Sequence, residues 1–225
     1  MWHQPAILNY ALFKDRSDAG EKLAIALKHF SNDKKTIIMA LPRGGVPVAY
    51  EVSQKLHLPM DIYPVRKLGV PGHEELAMGA LTLDGEYYLN KDIISTFGIS
   101  QSRIDTIIDR EKVEMLRRNQ LYRHGAPPPV IKGRSVIIVD DGLATGATMN
   151  AAVQALRHAG AGHIVVAVPV GSEDACLTLR QYADEMICLE RPPAFACVGE
   201  WYQNFDQVTD EEVISVAKQM TSQKP

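Results

Sequence analysis

Apolar runs without polar alternation recur along the chain, and each is followed by a segment of helical period. Residues 36–41, 135–139 and 163–169 read as buried strands, with 61–65 and 185–189 as two more. Between them, Ala19, Leu23, Leu27 and Phe30 set a helix over 19–30. Val46, Ala49, Val52, Ser53 and Leu56 set a second over 46–57. Ser100 is placed to cap a long helix to about 122, apolar at Ile104, Ile107, Ile108 and Met115 and supported by a Glu114–Arg118 pair at i,i+4. A helix over 145–159 carries Met149, Ala152, Val153 and Leu156 on one face and stops at Gly160. Residues 173–182 form another. Thr209 with Glu212 is a capping box for a last helix, apolar at Val213, Val216, Ala217 and Met220. Residues 67–79 break the pattern with Gly69, Pro71, Gly72 and Gly79 and read as a long mobile loop, with 87–89 an edge strand.

Strands that are apolar on both faces and separated by helices imply a parallel sheet covered on both sides, an α/β architecture in one domain. Ligands of such sheets bind beyond the carboxyl ends of the strands. The 225 residues, 46% hydrophobic and 23% charged, suit a single globular domain. A net charge of −3 gives no bulk attraction for nucleic acid or an anionic membrane, so an anion site must be local. No apolar stretch reaches the ~18 residues that span a bilayer, and the first residues lack the apolar run of a signal peptide. Cys176, Cys188 and Cys197 show no metal spacing and read as reduced thiols, which places the chain in the cytoplasm.

The chemistry concentrates where residues 136–139 deliver Asp140 and Asp141 to the edge of the sheet, followed by Gly142, Leu143, Ala144, Thr145, Gly146, Ala147 and Thr148. A helix beginning inside this turn aims backbone N–H groups outward. Gly146 lets an anion approach the main chain, and Thr145 and Thr148 add hydroxyl donors. A phosphate cradle beside two carboxylates suits a sugar phosphate. An NTPase P-loop and a dinucleotide Gly-x-Gly-x-x-Gly are absent from the sequence.

This stretch resembles the 5-phosphoribosyl-1-pyrophosphate (PRPP) motif of type I phosphoribosyltransferases: four apolar residues, an acidic pair, a spacer, then Thr-Gly-x-Thr. The resemblance extends over about residues 35–191 and implies a Rossmann-like parallel sheet with a small hood and a flexible loop. It implies that Asp140 and Asp141 contact the ribose hydroxyls and that Ala144, Thr145, Gly146, Ala147 and Thr148 hold the 5-phosphate. Gly142 departs from the family, which more often has a bulky apolar residue there. Pro42, Arg43, Gly44 and Gly45 resemble the family's pyrophosphate loop, often a site of a non-proline cis peptide. Arg66 and Lys67 resemble the basic residues that neutralise leaving pyrophosphate before a catalytic loop.

The family adds a hood over the acceptor, expected from residues 1–13 and 191–208, with a C-terminal helix over 209–220. Phe195, Trp201, Tyr202 and Phe205 are candidates to stack on a planar base, a role that plain hydrophobic packing rivals. The resemblance also implies Mg²⁺ carried mainly by PRPP, a small-molecule acceptor and a homodimer. A PRPP-sensing regulator with the same fold is the alternative, because fold alone does not assign turnover.

Overall fold

A computed structural model describes residues 11–222 apart from 83, 84 and 128. Its centre is a five-stranded parallel sheet built from β1 (Thr36–Ala40), β2 (Met60–Ile62), β6 (Ser135–Val139), β7 (His163–Val170) and β8 (Glu185–Glu190), in the order β2-β1-β6-β7-β8. The β-branched run Val136, Ile137, Ile138, Val139 in the middle strand is fully buried, as a strand covered on both faces requires. On one face lie α1 (Arg16–Ala26), α2 (Gly45–Leu56) and α7 (Asp210–Ser222), around Leu23, Val52, Ile38, Val139 and Val213. On the other lie α5 (Ala147–His158) and α6 (Glu173–Leu179), around Met149, Leu156, Ile138, Val166 and Leu179.

The chain leaves β1 toward β2 on one side and continues from β6 toward β7 and β8 on the other. Between β1 and β6 the order reverses, and at such a switch point the two outgoing loops diverge and leave a crevice. Those loops are 41–44 and 140–146.

One expectation is corrected. Residues 67–79 are not an irregular loop. They form most of a hairpin of β3 (Arg66–Val70) and β4 (His73–Leu81), extended by the edge strand β5 (Tyr87–Leu89) into a three-stranded antiparallel sheet. Leu68, Val70, Met78 and Leu81 bury one face of this sheet against Ile104, Ile108 and Met115 of α4 (Gln101–Arg123). The glycines mislead because two of them mark close approach rather than a break. A Cβ on Gly79 would lie 2.2 Å from the Tyr88 carbonyl oxygen, and one on Gly69 2.8 Å from that of Glu74. Arg66 and Lys67 open β3 rather than directly closing the strand expected over 61–65. A short helix α3 (Lys91–Thr96), capped by Asn90, links β5 to α4.

Residues 1–10 of the expected hood lie outside the described residues. In the part that is described, Leu12 and Phe13 donate backbone bonds to Trp201, and Gln203 and Asn204 return bonds to Phe13 and Lys14. Phe13, Ala19, Val170 and Tyr202 form a small core there, with Phe195, Val198, Trp201 and Phe205 packed against it. The box at Thr209 forms as expected, with reciprocal bonds of 2.7 Å and 3.2 Å to Glu212.

Candidate active site

The loop after β1 and the loop after β6 touch. A Cβ on Gly44 would fall 2.0 Å from Asp141 Oδ2, and one on Gly45 would fall 2.6 Å from the Val139 carbonyl oxygen and 2.8 Å from Asp140 Cα. Only glycine lets these backbones approach so closely. The Pro42–Arg43 peptide in this loop is cis. Asp140 accepts the Asp141 N–H at 2.9 Å, which turns the two side chains toward one another at the sheet edge.

Burial raises the Asp140 carboxyl well above the usual carboxylate range, and the neighbouring Asp141 charge raises it further. Burial raises Asp141 as well, opposed by the Arg16 guanidinium beside it. Arg16 Nε stands 2.9 Å from Asp141 Oδ2. Behind the pair, the Tyr202 hydroxyl donates to the Asp141 carbonyl at 2.6 Å.

The loop that follows is fastened on its outer side. Leu143 N–H donates to Val170 and Ser172 N–H to Leu143, a parallel bridge onto the end of β7, while Ser172 Oγ donates to the Ala144 carbonyl at 2.7 Å. Gly146 takes a left-handed φ of 71° as the N-cap of α5. Ala144, Thr145 and Thr148 are exposed at the opening. The space a bulky residue would need at position 142 is taken by Val198, 2.5 Å from where a Gly142 Cβ would lie. Glycine there is matched by a neighbour. The turn thus brings backbone amides and two threonine hydroxyls next to two carboxylates, with the Ala147 N–H donating to Thr145 Oγ1 at 3.3 Å.

A family model for the phosphoribosyl transferase domain matches residues 15–204. The chain belongs to the phosphoribosyl transferase family. Two Mycobacterium tuberculosis proteins, from strains H37Rv and CDC 1551 and named "Putative phosphoribosyl transferase", are each 44% identical over 204 residues, 91% of this chain and 46% of theirs. The chain thus spans about half the length of the curated relatives it matches. The crystal structure of TT1426 from Thermus thermophilus superposes with a TM-score of 0.86 at 39% identity, covering 92% of this chain and 98% of that one.

Within this phosphoribosyl transferase fold the remaining sequence candidates are placed unequally. Arg43 sits in the loop against the acidic pair, its guanidinium 3.8 Å from Asp210 at the start of α7. Asp210 also accepts the Tyr122 hydroxyl and lies 3.5 Å from Arg117, and these partners hold its carboxyl below the usual range. Arg66 is drawn to α4 instead: its Nε and Nη2 reach Glu111 Oε2 at 2.7 Å and 2.6 Å. Lys67 follows it, half-buried on β3. Glu111 is 8% exposed and also receives Arg110. Glu111→Gln should therefore lower stability by about 1–3 kcal/mol by leaving Arg66 without its charge partner, read as a lower urea midpoint at unchanged m-value.

The four aromatics form one cluster. Phe195 and Trp201 stack at 6.2 Å, while Tyr202 is buried with its ring 5.3 Å from Phe13 and 4.9 Å from Phe205. Phe195, Trp201 and Phe205 are half-buried. Sequence reasoning missed Arg16, Ser172, Val198 and Asp210. Only Ser172 had a local signal, as a serine ahead of Glu173 and Asp174 at a helix start. Among the described residues, no group of three or more His, Cys, Asp or Glu is clustered to hold a metal ion, and no helix is long and apolar enough to cross a membrane.

Proposed function

We propose that the chain transfers the 5-phosphoribosyl group of PRPP to a small-molecule acceptor, a nucleobase or similar planar nitrogen heterocycle, with release of pyrophosphate, in the cytoplasm. The observation that carries this reading is the contact of the Gly44–Gly45 backbone with Asp140 and Asp141 at the switch point, beside the fastened phosphate loop. Asp140 and Asp141 accept bonds from the ribose hydroxyls. Ala144, Thr145, Gly146, Ala147 and Thr148 hold the 5-phosphate at the start of α5. Gly44 and Gly45 seat the pyrophosphate loop against the acidic pair, and Arg43 neutralises the pyrophosphate as it departs from the anomeric carbon. Lys67 supplies positive charge from the neighbouring hairpin, and Arg66 adds to it on release from Glu111. The acceptor nitrogen attacks from the face opposite the pyrophosphate, so the configuration inverts. Positioning and fixed electrostatics provide most of the rate.

Mg²⁺ enters mainly on PRPP itself, on its pyrophosphate and ribose hydroxyls, so the acidic pair meets it through the sugar rather than as a dedicated ligand set. When bound, Mg²⁺ supplies charge neutralisation of the leaving pyrophosphate. Phe195 and Trp201 present half-buried ring surface for a planar acceptor; Tyr202 supports Asp141 from behind. The described part of segment 1–13 and segment 191–208 act as the hood over a single transferase domain, and the assembly is a homodimer.

The test is pyrophosphate release from PRPP and Mg²⁺ across purine, pyrimidine and pyridine bases, with Asp140→Asn/Asp141→Asn as the control. Base-dependent release that the double variant loses is the expected result and names the acceptor class. PRPP binding without release from any base would favour a PRPP sensor, and absence of binding would overturn the reading of the loop.

A further inference from the structure

We propose that Arg16 is the positioning residue of the ribose subsite, locking Asp141 in place and coupling the acidic pair to the hood; this rests on the reading of Asp140 and Asp141 as the ribose carboxylates. Arg16 opens α1, 125 positions from Asp141, and its side chain is 12% exposed. The guanidinium is engaged on three sides. Nε faces Asp141 Oδ2 at 2.9 Å, Nη1 donates to the Asp206 carbonyl at 2.8 Å, and the plane lies 3.9 Å over the Phe205 ring. A fork of donors and a flat cation are both used, and a lysine offers neither.

Arg16 is placed to set both the orientation and the charge of Asp141. Gly44 bounds the carboxylate from the neighbouring loop, and Tyr202 holds the backbone beneath it. Arg16 holds the carboxylate through Oδ2, so it is oriented before any sugar arrives. The charged and titratable groups facing it are Arg16 from α1, Asp140 from its own loop and the Tyr202 phenol from the C-terminal segment. One loop away stands Arg43 with its partner Asp210, and Asp206 carries an exposed carboxylate beyond its carbonyl. Two carboxylates this close cannot both ionise readily without a cation, and Arg16 is in direct ion-pair contact with Asp141. The same guanidinium grips Asp206 and Phe205 in the hood. Loss of the hood contact and loss of the Asp141 geometry are therefore one event.

The experiment compares wild type with Arg16→Ala, Arg16→Lys and Phe205→Leu in the full chain. PRPP-dependent pyrophosphate release is followed from about pH 5 to about pH 9 with the best acceptor of the panel, and PRPP binding with Mg²⁺ is followed by calorimetry. Removing the cation makes Asp141 harder to ionise. The acid limb of kcat/KM for PRPP should then move upward by about one pH unit in Arg16→Ala, with KM raised roughly 10–100-fold and kcat changed less. Arg16→Lys should return the limb toward wild type while recovering only part of KM. Phe205→Leu, which loosens packing and leaves the charge, should keep the wild-type limb. An Arg16→Ala protein with an unmoved acid limb overturns the proposal even if its KM rises, because packing alone would do that. A wild-type protein that neither binds nor turns over PRPP overturns the underlying reading of the carboxylates instead.

Discussion

Asp140→Asn is expected to raise the stability of the ligand-free protein while lowering its activity, and the stability gain should depend on pH. The substitution keeps the shape and the acceptor for the Asp141 N–H, so what it removes is charge. Burial and the Asp141 carboxylate push the Asp140 carboxyl upward from its ordinary 3.8. A native state that holds the proton more tightly than the unfolded chain loses stability as pH rises from that ordinary value through the raised one. At acid pH both proteins carry a neutral side chain at 140 and should melt alike. Near pH 7.5 the variant should melt higher by about 2–4 °C, equivalent to about 1 kcal/mol for a chain of this length. Its kcat/KM for PRPP should drop about 100-fold, since a neutral amide is a weaker acceptor for the ribose hydroxyls. Thermal melts at the two pH values and a PRPP titration read both signs. A variant less stable than wild type at pH 7.5 would refute the electrostatic account.

Gly45→Ala should have a large structural effect at the site. Its added methyl meets the Val139 carbonyl at 2.6 Å and Asp140 Cα at 2.8 Å, both backbone atoms at the exit of the central strand, which cannot swing aside as a side-chain tip can. Forcing them apart should cost about 3 kcal/mol, or roughly 6–12 °C in Tm. Displacing the acidic pair by a fraction of an ångström should weaken PRPP use about 100-fold further. Gly72→Ala is the matched control. There the added methyl meets nothing within 4 Å, although its φ of +80° adds strain. It should cost about 1 kcal/mol and leave PRPP binding as it was. Equal losses of PRPP binding in the two variants would show that close packing against Asp140 is not what position 45 supplies.

The parallel sheet was legible because its strands are apolar on both faces and its helices keep a clean period. Asp140 to Thr148 was legible because strand, carboxylates and helix start follow one another without a gap. The hairpin 66–81 was not, because glycines that admit a neighbouring backbone look the same in sequence as glycines that break a strand. Its core partners, Ile104 and Met115, lie on a helix more than twenty residues away. Arg16 was illegible for a related reason: nothing near residue 16 announces a partner at 141. A local motif reports the groups that touch a ligand through one loop, whereas the groups that aim them arrive from distant elements and show only in three dimensions.

The parallel pairing of Phe13 with Tyr202 has a consequence for how the protein is made. Residue 13 leaves the ribosome before residue 202 and cannot find its partner until that residue and its neighbours have followed. The strands that carry Asp140 can assemble before then, but Arg16 gains its Asp206 and Phe205 contacts only after that closure. A nascent chain should therefore hold a folded sheet with an unfinished ribose pocket until synthesis passes residue 206, so that competence for the sugar comes last.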